Sequence, residues 1–322
     1  MTIAVIRQGI RHTVCLLLSV LLCLYILISC TSSADSPAAS DIAFTDALGR
    51  QVQLDDVPAR TACLLGSFAD VWMLSGGEVC AAAEDAWEDF GLPLDGAVSI
   101  GGAHSPNIEL LLSADPDFVI ASASTASHVE LCALLEAAGI PVAYFDVMDF
   151  EDYLAMLRIC TDITGREDLW EQNGVQLQNE IESIKNQFSA TVGDDARRIL
   201  LLRAASGFVK AKGSEGTVLG EMLADLGCIN IADSDTQLLE NLSVEAVLAE
   251  EPHHIFIVTM GADSAAAMQS VENMLHGHPA WQTLDAVKSG RLHIMDRALF
   301  HLKPNARWAE AYRTLYEVFI EE

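Results

Sequence analysis

Residues 107–122, NIELLLSADPDFVIAS, form a phrase that returns in altered form at residues 243–259, SVEAVLAEEPHHIFIVT. In both, a residue suited to capping a helix precedes a glutamate by two positions, and an apolar run, a proline and an apolar strand-like segment follow. Glu109 thus corresponds to Glu245, and Pro116 corresponds to Pro252. A helix followed by a buried strand in each half of the chain predicts two related α/β units.

Short apolar runs alternate with helix-length segments on both sides of these phrases. The strand-like runs include TACLLGS, VCAAAED and PVAYFDV in the first half, and RRILLLRAAS and RLHIMD in the second. Strands separated by helices predict βαβ units and parallel pairing. The predicted fold class is therefore α/β, with two Rossmann-like lobes built on parallel-type central sheets.

Residues 166–188 break this alternation and predict one long α-helix between the lobes. Their apolar side chains recur at helical spacing, at Leu177, Ile181, Ile184 and Phe188. The predicted boundaries are an N-terminal lobe at 43–148, a linking helical segment at 149–192 and a C-terminal lobe at 193–322. Because ligands bind at the carboxyl ends of strands in open α/β sheets, we expect a ligand cleft between the lobes.

The first thirty residues have the pattern of a secretion signal. Arg7 and Arg11 precede the uncharged run VCLLLSVLLCLYILIS, which is followed by Cys30 and small polar residues. This run is shorter than the roughly 20 apolar residues of a spanning helix. Residues 27–30, LISC, resemble a bacterial lipobox, whose cysteine is acylated. We predict a signal peptide at 1–30, lipidation of Cys30, a flexible tether at 31–42 and a location on the outer face of the cytoplasmic membrane; an uncleaved anchor is the alternative.

The chain is strongly acidic, with 18 lysine and arginine residues against 46 aspartate and glutamate residues and a formal net charge of −28. This charge disfavours nucleic acid and anionic lipid as partners, so we expect membrane contact only through the lipid anchor. No lysine or arginine occurs between Arg60 and Arg158. An anionic ligand would therefore be held mainly by the second half of the chain.

The order of the segments resembles that of one protein family. FTDALGRQVQLDDVPAR before a strand, SIGGAHSPNIELLLSADPDFVIAS, GIPVAYFDV, the long helix and SVEAVLAEEPHHIFIV are similar to the substrate-binding lipoproteins of ABC importers for ferric siderophores, haem and cobalamin. The similarity runs from about Phe44 to the C-terminus. It implies a monomeric, non-catalytic protein without an intrinsic cofactor, which captures an iron(III)–siderophore or related metal chelate and delivers it to a permease dimer and its ATPase.

The resemblance also implies a role for the repeated glutamate. In that family one glutamate near the tip of each lobe docks onto arginines of the two identical permease subunits, and Glu109 and Glu245 match those positions. The alternative, from the residues alone, is that each carboxylate stabilises a helix N-terminus by about 0.3–1 kcal/mol.

Residues predicted at strand ends supply the candidate ligand contacts. In the first lobe these are Ser67, Asp70, Trp72, Asp85, Trp87, His104, Ser122 and Tyr144. In the second lobe they are Arg203, Ser206, Phe208, Lys210, Lys212, Met260, His301, Lys303 and Arg307. Five basic residues fall in RAASGFVKAK and HLKPNAR, a pattern that suits carboxylate or catecholate ligands. A solvated hairpin and an ordinary helix start are the alternative.

Three other ligand classes stay open. Haem is one, since His104 and Met260 correspond, with the lobes exchanged, to the axial iron ligands of some haem-binding relatives. Cobalamin is a second, through aromatic walls formed by Trp72, Trp87, Tyr144 and Phe208. Bare zinc or manganese is a third, although the close histidine pairs, His253 with His254 and His276 with His278, lie away from the expected cleft.

No catalytic motif suggests an enzyme. The sequence has no G-x-S-x-G elbow, no Walker loop and no H-E-x-x-H. We therefore expect a binding protein.

Overall fold

The computed structural model describes residues 42–261 and 263–321. The predicted signal peptide, Cys30 and all but the last residue of the predicted tether lie outside this range. Within it, no helix is both long enough and apolar enough to cross a membrane.

The N-terminal lobe is built on a five-stranded parallel sheet. Its chain begins with the antiparallel hairpin β1 (Ile42–Thr45) and β2 (Gln51–Leu54) and continues through β3 (Thr61–Cys63), β4 (Val79–Ala82), β5 (Val98–Ser99), the small hairpin β6 (Gly101–Gly102) and β7 (Ser105–Pro106), β8 (Phe118–Ser122) and β9 (Val142–Phe145). The spatial order of the sheet is β5-β4-β3-β8-β9. From β3, the chain therefore adds β4 and β5 on one side of the sheet and then β8 and β9 on the other side.

Five helices connect these strands: α1 (Gly66–Leu74), α2 (Asp85–Glu88), α3 (Ile108–Ser113), α4 (Ala126–Glu130) and α5 (Cys132–Ala137). The opening sequence phrase corresponds to α3 followed by β8. Asn107 caps α3 by accepting hydrogen bonds from the Glu109 and Leu110 amides. Asp115, next to Pro116, has a φ of 50°, a left-handed conformation that ends the helix.

The linking segment is helical with two interruptions. It comprises α6 (Phe150–Thr164), α7 (Glu167–Trp170), one π-helical turn (Glu171–Val175) and α8 (Gln176–Thr191). Gly165, in the left-handed conformation, separates α6 from α7. The helix predicted over 166–188 is present, and the π turn contains Gly174, where a Cβ atom would lie 2.8 Å from the Trp170 ring. Close packing against Trp170 thus explains a glycine inside a helix.

The C-terminal lobe repeats the plan with one antiparallel edge. Its strands are β10 (Arg198–Ala205), β11 (Phe208–Ala211), β12 (Ile229–Asn230), β13 (His254–Thr259) and β14 (Leu292–Met295). The order is β11-β10-β13-β14, with β12 also pairing with β10, and only β11 runs antiparallel to its neighbour. The two lobes are therefore both α/β units with mainly parallel sheets.

The helices of this lobe are α9 (Val218–Asp225), α10 (Thr236–Glu240), α11 (Val244–Glu250), α12 (Ser264–Gly277), α13 (Asp285–Lys288), α14 (Arg297–Phe300) and α15 (Trp308–Ile320). The second copy of the phrase corresponds to α11 followed by β13. Ser243 caps α11, and Glu251, next to Pro252, has a φ of 43°. Both copies thus share a cap, a short helix, a left-handed acidic residue, a proline and a buried strand.

One hydrophobic core connects the two sheets through the linking helices. Phe150 of α6 packs against Trp308 of α15 with ring centroids 5.9 Å apart, and Phe188 of α8 packs against Phe319 at 5.0 Å. The same core includes Phe68 of the N-terminal lobe and Phe256 of the C-terminal lobe. The lobes are therefore joined by packed side chains as well as by the chain itself.

Candidate ligand-binding cleft

Each sheet has a point where the strand order reverses. In the N-terminal lobe this point lies between β3 and β8, and in the C-terminal lobe it lies between β10 and β13. Ligands of open α/β sheets bind outside the carboxyl ends of strands at such points. Ser67 follows β3 and Ser122 ends β8, while Arg203 lies near the end of β10 and Met260 follows β13. These four predicted residues therefore lie at the expected edges.

Polar contacts tie the two lobes together near these edges. Both terminal nitrogens of Arg297 bind the carboxylate of Asp89, with Nη1–Oδ1 at 2.7 Å and Nη2–Oδ2 at 3.1 Å. The Asn305 side-chain amide donates to the Ser67 carbonyl at 2.9 Å and to Asp70 Oδ2 at 2.8 Å. The segment that follows β14 thus lies against the strand-end loops of the N-terminal lobe.

Basic side chains without acidic partners lie on the C-terminal side. Among the described residues, the half-buried Arg203 makes no side-chain hydrogen bond or ion pair, and its Nε atom is buried. Burial lowers the pKa of Arg203. Burial also lowers the pKa of Lys212, and the nearby charges of Arg203 and Lys210 lower it further. These groups are therefore held close together at an energetic cost that a bound anion would offset.

His301 and Lys303 extend the same basic cluster. Burial, together with the charges of Arg203, Arg297 and Lys303, lowers the pKa of His301 to about 4. Burial lowers the pKa of Lys303, and the carboxylates of Asp146, Asp85 and Asp152 act in the opposite direction. His301 is consequently neutral at pH 7, while the residues around it carry positive charge.

Most other arginines have carboxylate partners, which makes the cluster unusual in so acidic a chain. Arg158 pairs with Asp162 and Glu167, Arg198 pairs with Glu250, and Arg313 pairs with Glu180. Buried polar and charged groups in proteins normally have partners. An electropositive surface at the carboxyl ends of β10 and β13 therefore points to an anionic ligand.

The N-terminal side presents a carboxylate and a histidine. Asp85 Oδ2 accepts a hydrogen bond from the Gly66 amide at 2.9 Å, whereas its Oδ1 is buried and has no hydrogen-bond partner among the described residues. Burial is the largest cause that raises the pKa of Asp85. His104 is exposed in the turn between β6 and β7. A ligand at this face would meet Asp85 and His104, with Trp87 half-buried nearby on α2.

His128, a buried histidine that the sequence analysis did not single out, contacts the turn that contains His104. His128 of α4 accepts a hydrogen bond from the Ser122 amide through Nδ1, at 3.2 Å. Its Nε2 lies 2.6 Å from the Ala103 carbonyl, so Nε2 carries the proton and donates. Burial lowers the pKa of His128 and favours this neutral form. No local sequence pattern distinguishes His128 from a surface histidine, because its partners come from two separate loops.

Two predicted cleft aromatics belong to the core, which corrects their assignment. Trp72 of α1 and Tyr144 of β9 are both 0 % exposed. Trp72 Nε1 donates to the Glu78 carbonyl at 3.0 Å, and the Tyr144 hydroxyl donates to the His128 carbonyl at 2.8 Å. Trp72 also packs edge-on against Phe118. Their polar atoms are satisfied inside the lobe, so neither forms a cleft wall.

The other candidate ligand contacts differ in their exposure and in their bonding partners. Ser67 and Ser122 are buried, and the Ser122 hydroxyl lies 3.0 Å from the Ser124 hydroxyl. Phe208, 40 % exposed, lies on the edge strand β11, and Lys210 Nζ is 5.5 Å from its ring. Arg307 is exposed and forms two hydrogen bonds to Glu310, both at 2.7 Å. Arg307 is thus already neutralised locally, whereas Arg297, which was not predicted, lies at the lobe junction.

The two repeated glutamates lie at corresponding places. Glu109 is exposed in the first turn of α3, and Glu245 is exposed in the first turn of α11. The Ser243 hydroxyl donates to Glu245 Oε2 at 3.0 Å, and His278 Nε2 lies 3.7 Å from Oε1. The pKa of Glu245 is lowered, first by a backbone amide and then by Ser243. Both carboxylates are presented to solvent at a helix N-terminus.

The histidine pairs considered for bare metals are dispersed. His254 is buried and its Nδ1 lies 3.0 Å from His293 Nε2, while His276 and His278 are exposed at the end of α12. Within residues 42–261 and 263–321, no three histidine, cysteine or acidic side chains are grouped to hold a metal ion.

Comparison with known proteins gives concordant matches. The family model for periplasmic binding proteins matches residues 62–299. The chain is 22% identical over 314 residues to YhfQ of Bacillus subtilis, which is named as an ABC transporter substrate-binding lipoprotein, covering 92% of this chain and 94% of YhfQ. It is 24% identical to the Fe(3+)-citrate-binding protein YfmC of the same organism, over 74% of each chain.

A solved structure has the same fold. Staphylococcus aureus SirA complexed with staphyloferrin B aligns with a TM-score of 0.66 at 19% identity, covering 86% of this chain and 97% of SirA. Together with the family match, this likeness accounts for two α/β lobes joined by a helical segment. The chain belongs to the periplasmic binding protein family.

Proposed function

We propose that this protein is the extracytoplasmic substrate-binding component of an ABC importer, and that it captures an iron(III)–siderophore or related anionic ferric chelate. The observation that carries the proposal is the basic pair Arg203 and Lys212: the buried Arg203 Nε has no hydrogen-bond partner among the described residues, and the charges of Arg203 and Lys210 lower the pKa of Lys212. Ferric chelates of carboxylate or catecholate type present the negative charge that such a cluster requires. The ferric-citrate-binding relative supports the same ligand class.

The proposed ligand contacts come from both lobes. Arg203, Lys212, His301 and Lys303 would bind anionic groups from the C-terminal side, with Lys210 and Phe208 at the outer edge. Asp85, Trp87 and His104 would close the opposite side, with Met260 at the end of β13. The acidic side of the cleft suits hydroxyl or amide donors of the same chelate.

The proposed cellular context rests on two features outside the cleft: Cys30, and the pair Glu109 and Glu245. Acylation of Cys30 would hold the protein on the outer face of the cytoplasmic membrane. Glu109 and Glu245 would dock the loaded monomer onto a permease dimer served by an ATPase, since paired acidic groups on two related lobes match a two-fold partner. The relative YhfQ, named as a lipoprotein, supports this placement.

The test is a binding titration of the purified protein with ferric citrate. Arg203→Ala should weaken binding by about 10- to 100-fold, because charge-assisted hydrogen bonds contribute roughly 1.5–3 kcal/mol. Lys288→Ala is the control. Lys288 is exposed and lies before the amino end of β14, so this substitution removes the same charge from the opposite edge of the sheet. Unchanged affinity in Arg203→Ala, or an equal loss in both variants, would contradict the proposal.

Haem is the second candidate ligand. His104 and Met260 both lie in loops at the carboxyl ends of sheets, one in each lobe, and His104 is exposed. A six-coordinate Soret spectrum that changes in His104→Ala and in Met260→Ala would favour haem over ferric chelates. Cobalamin loses support, because Trp72 and Tyr144 are core residues and leave Trp87 and Phe208 as its aromatic contacts.

A further inference from the structure

His128 is a buried imidazole that connects two loops of the N-terminal lobe. It lies on α4 and is 0 % exposed. Its Nδ1 atom accepts a hydrogen bond from the amide of Ser122, the last residue of β8, at 3.2 Å. Its Nε2 atom lies 2.6 Å from the carbonyl oxygen of Ala103, in the turn between β6 and β7. Both ring nitrogens are therefore bonded to backbone groups, one in each loop.

The turn that His128 contacts carries His104, one of the proposed ligand contacts. Ala103 and His104 form the two-residue turn of the β6–β7 hairpin. At the base of the hairpin, the Gly101 carbonyl accepts a hydrogen bond from the Glu84 amide at 2.9 Å. The base is thus held by the backbone, whereas His128 supplies a side-chain hydrogen bond at the tip.

This arrangement requires a neutral ring. Nδ1 accepts the Ser122 amide proton through its lone pair, so the proton of the neutral ring is on Nε2 and is donated to Ala103. An imidazolium carries a proton on both nitrogens and would place the Nδ1 proton against the Ser122 N–H group. Two buried donors would then face each other, and the hydrogen bond would be lost. Burial, the largest cause, lowers the pKa of His128, which agrees with this geometry.

We propose that His128 is an acid-sensitive positioning residue of the cleft: the neutral ring fixes the His104 turn against the end of β8, and protonation of Nδ1 releases the turn. In this step a proton from solvent forms an N–H bond at Nδ1, and the hydrogen bond from the Ser122 amide breaks. We call the state with both ring nitrogens bonded the clamped form. The consequence for ligand binding, a cleft whose N-terminal side loosens in acid, rests on the proposed function.

The sign of the pH dependence follows from the two states of the ring. The released ring has the ordinary histidine pKa of about 6.5, and the pKa of the clamped ring is lower. The clamped form is therefore fully favoured above about pH 6.5 and becomes less favoured as pH falls below it. The ratio of clamped to released form should fall about tenfold between pH 7.5 and 5.5. The charge of His104 acts on the ring and also lowers the pKa of His128, so protonation of His104 opposes release.

Amide hydrogen exchange of the purified protein, followed by NMR, measures the clamped form directly. The protection factor of the Ser122 amide, which corrects for the intrinsic exchange rate, should fall about tenfold between pH 7.5 and 5.5. The Leu64 amide, which donates to the Ile120 carbonyl at 2.9 Å, is the internal control and should keep its protection. Nitrogen chemical shifts of the His128 ring at pH 7.5 should show the proton on Nε2. A proton on Nδ1, or unchanged Ser122 protection in the wild type, overturns the inference, and neither measurement requires a variant.

Two variants distinguish this role from simple packing. In His128→Asn the side-chain oxygen replaces Nδ1 as the acceptor for Ser122 and is not protonated, so Ser122 protection should be independent of pH. His128→Gln extends to Ala103 and lacks that acceptor, so its Ser122 amide should exchange rapidly at both pH values. His276→Gln removes an exposed histidine on α12 and should behave as the wild type. An equal fall in the wild type and in His128→Asn would assign the pH dependence to another group and overturn the inference.

A ligand experiment separates the inference from the proposed function. Titration with ferric citrate decides whether the chelate binds, and diamagnetic gallium(III) citrate then allows the exchange measurement at pH 5.5. At a concentration about 100 times Kd, a chelate that binds only the clamped form raises Ser122 protection about 100-fold. Bound gallium(III) citrate without this rise overturns the role of His128 in the cleft and leaves the proposed function standing. Failure of both ferric citrate and a ferric catecholate to bind overturns the proposed function, while exchange in the free protein still decides whether His128 holds the turn.

Discussion

Gly66 illustrates how one residue positions the N-terminal face of the cleft. It lies at the start of α1, and its amide donates to Asp85 Oδ2 at 2.9 Å. A Cβ atom at this position would lie 2.5 Å from the Ala86 nitrogen and 2.7 Å from the Asp85 carbonyl carbon. The absence of a side chain therefore lets α1 and α2 approach closely enough to orient Asp85.

We expect Gly66→Ala to destabilise the fold by about 1–3 kcal/mol, because backbone atoms cannot yield to the added methyl group without a shift. Urea unfolding followed by circular dichroism measures the change. Gly193→Ala is the matched control, since no atom lies within 4 Å of its ideal Cβ position. Equal stability of the two variants would show that α1 and α2 separate at little cost.

Among single residues, the basic side chains predicted at strand ends differ in their surroundings. The charge of Arg203 lowers the pKa of Lys212, and the charges of Arg203 and Lys303 both lower the pKa of His301. Arg307 does not join in, because Glu310 lies three residues later on the same helix face and binds it. Composition alone could not separate these cases, since all of them are basic residues beside a predicted strand end or helix start.

At the scale of elements, α3 and α11 present the same local structure in two lobes. Each begins with a polar cap, exposes a glutamate in its first turn and ends at a left-handed acidic residue before a proline. These features are set by neighbours in sequence, which is why the repeated phrase predicted them. The cap explains the helix start, and it does not by itself explain why both carboxylates are exposed.

We predict that Glu109→Ala combined with Glu245→Ala abolishes import of the ferric chelate while changing its affinity by less than about twofold, since distant sites act independently. Uptake of radioactive iron by cells and titration of the purified protein measure the two effects. Glu182→Ala removes an exposed charge from the linking helix α8 and serves as the control. A loss of affinity in the double variant would assign these residues to the cleft instead.

For the whole molecule, the joint between the lobes restricts their relative movement. The hydrophobic core continues from one sheet to the other through α6, α8 and α15. Arg297 with Asp89, and Asn305 with Asp70, add polar contacts across the junction. Large rotations would break these contacts, so small hinge movements are expected.

Solution scattering tests this rigidity. Addition of ferric citrate should change the radius of gyration by less than about one ångström, because the packed joint allows only a small rotation. Arg297→Ala, which removes the bridge to Asp89, should broaden the distribution of lobe distances in the free protein. A compaction of several ångströms in the wild type would indicate a hinge that the core does not restrain.

The two related α/β lobes, the helix over 166–188 and the caps of α3 and α11 follow from the amino-acid sequence. These features depend on periodicity and on capping or proline residues within a few positions, and such local preferences are readable along the chain. The surroundings of the candidate cleft residues, in contrast, depend on packing between distant parts of the chain. Trp72 and Tyr144 are fully buried in the core of the N-terminal lobe. Arg297 binds Asp89, which lies 208 positions earlier in the sequence. Packing brings such distant residues together, and no short-range pattern records it.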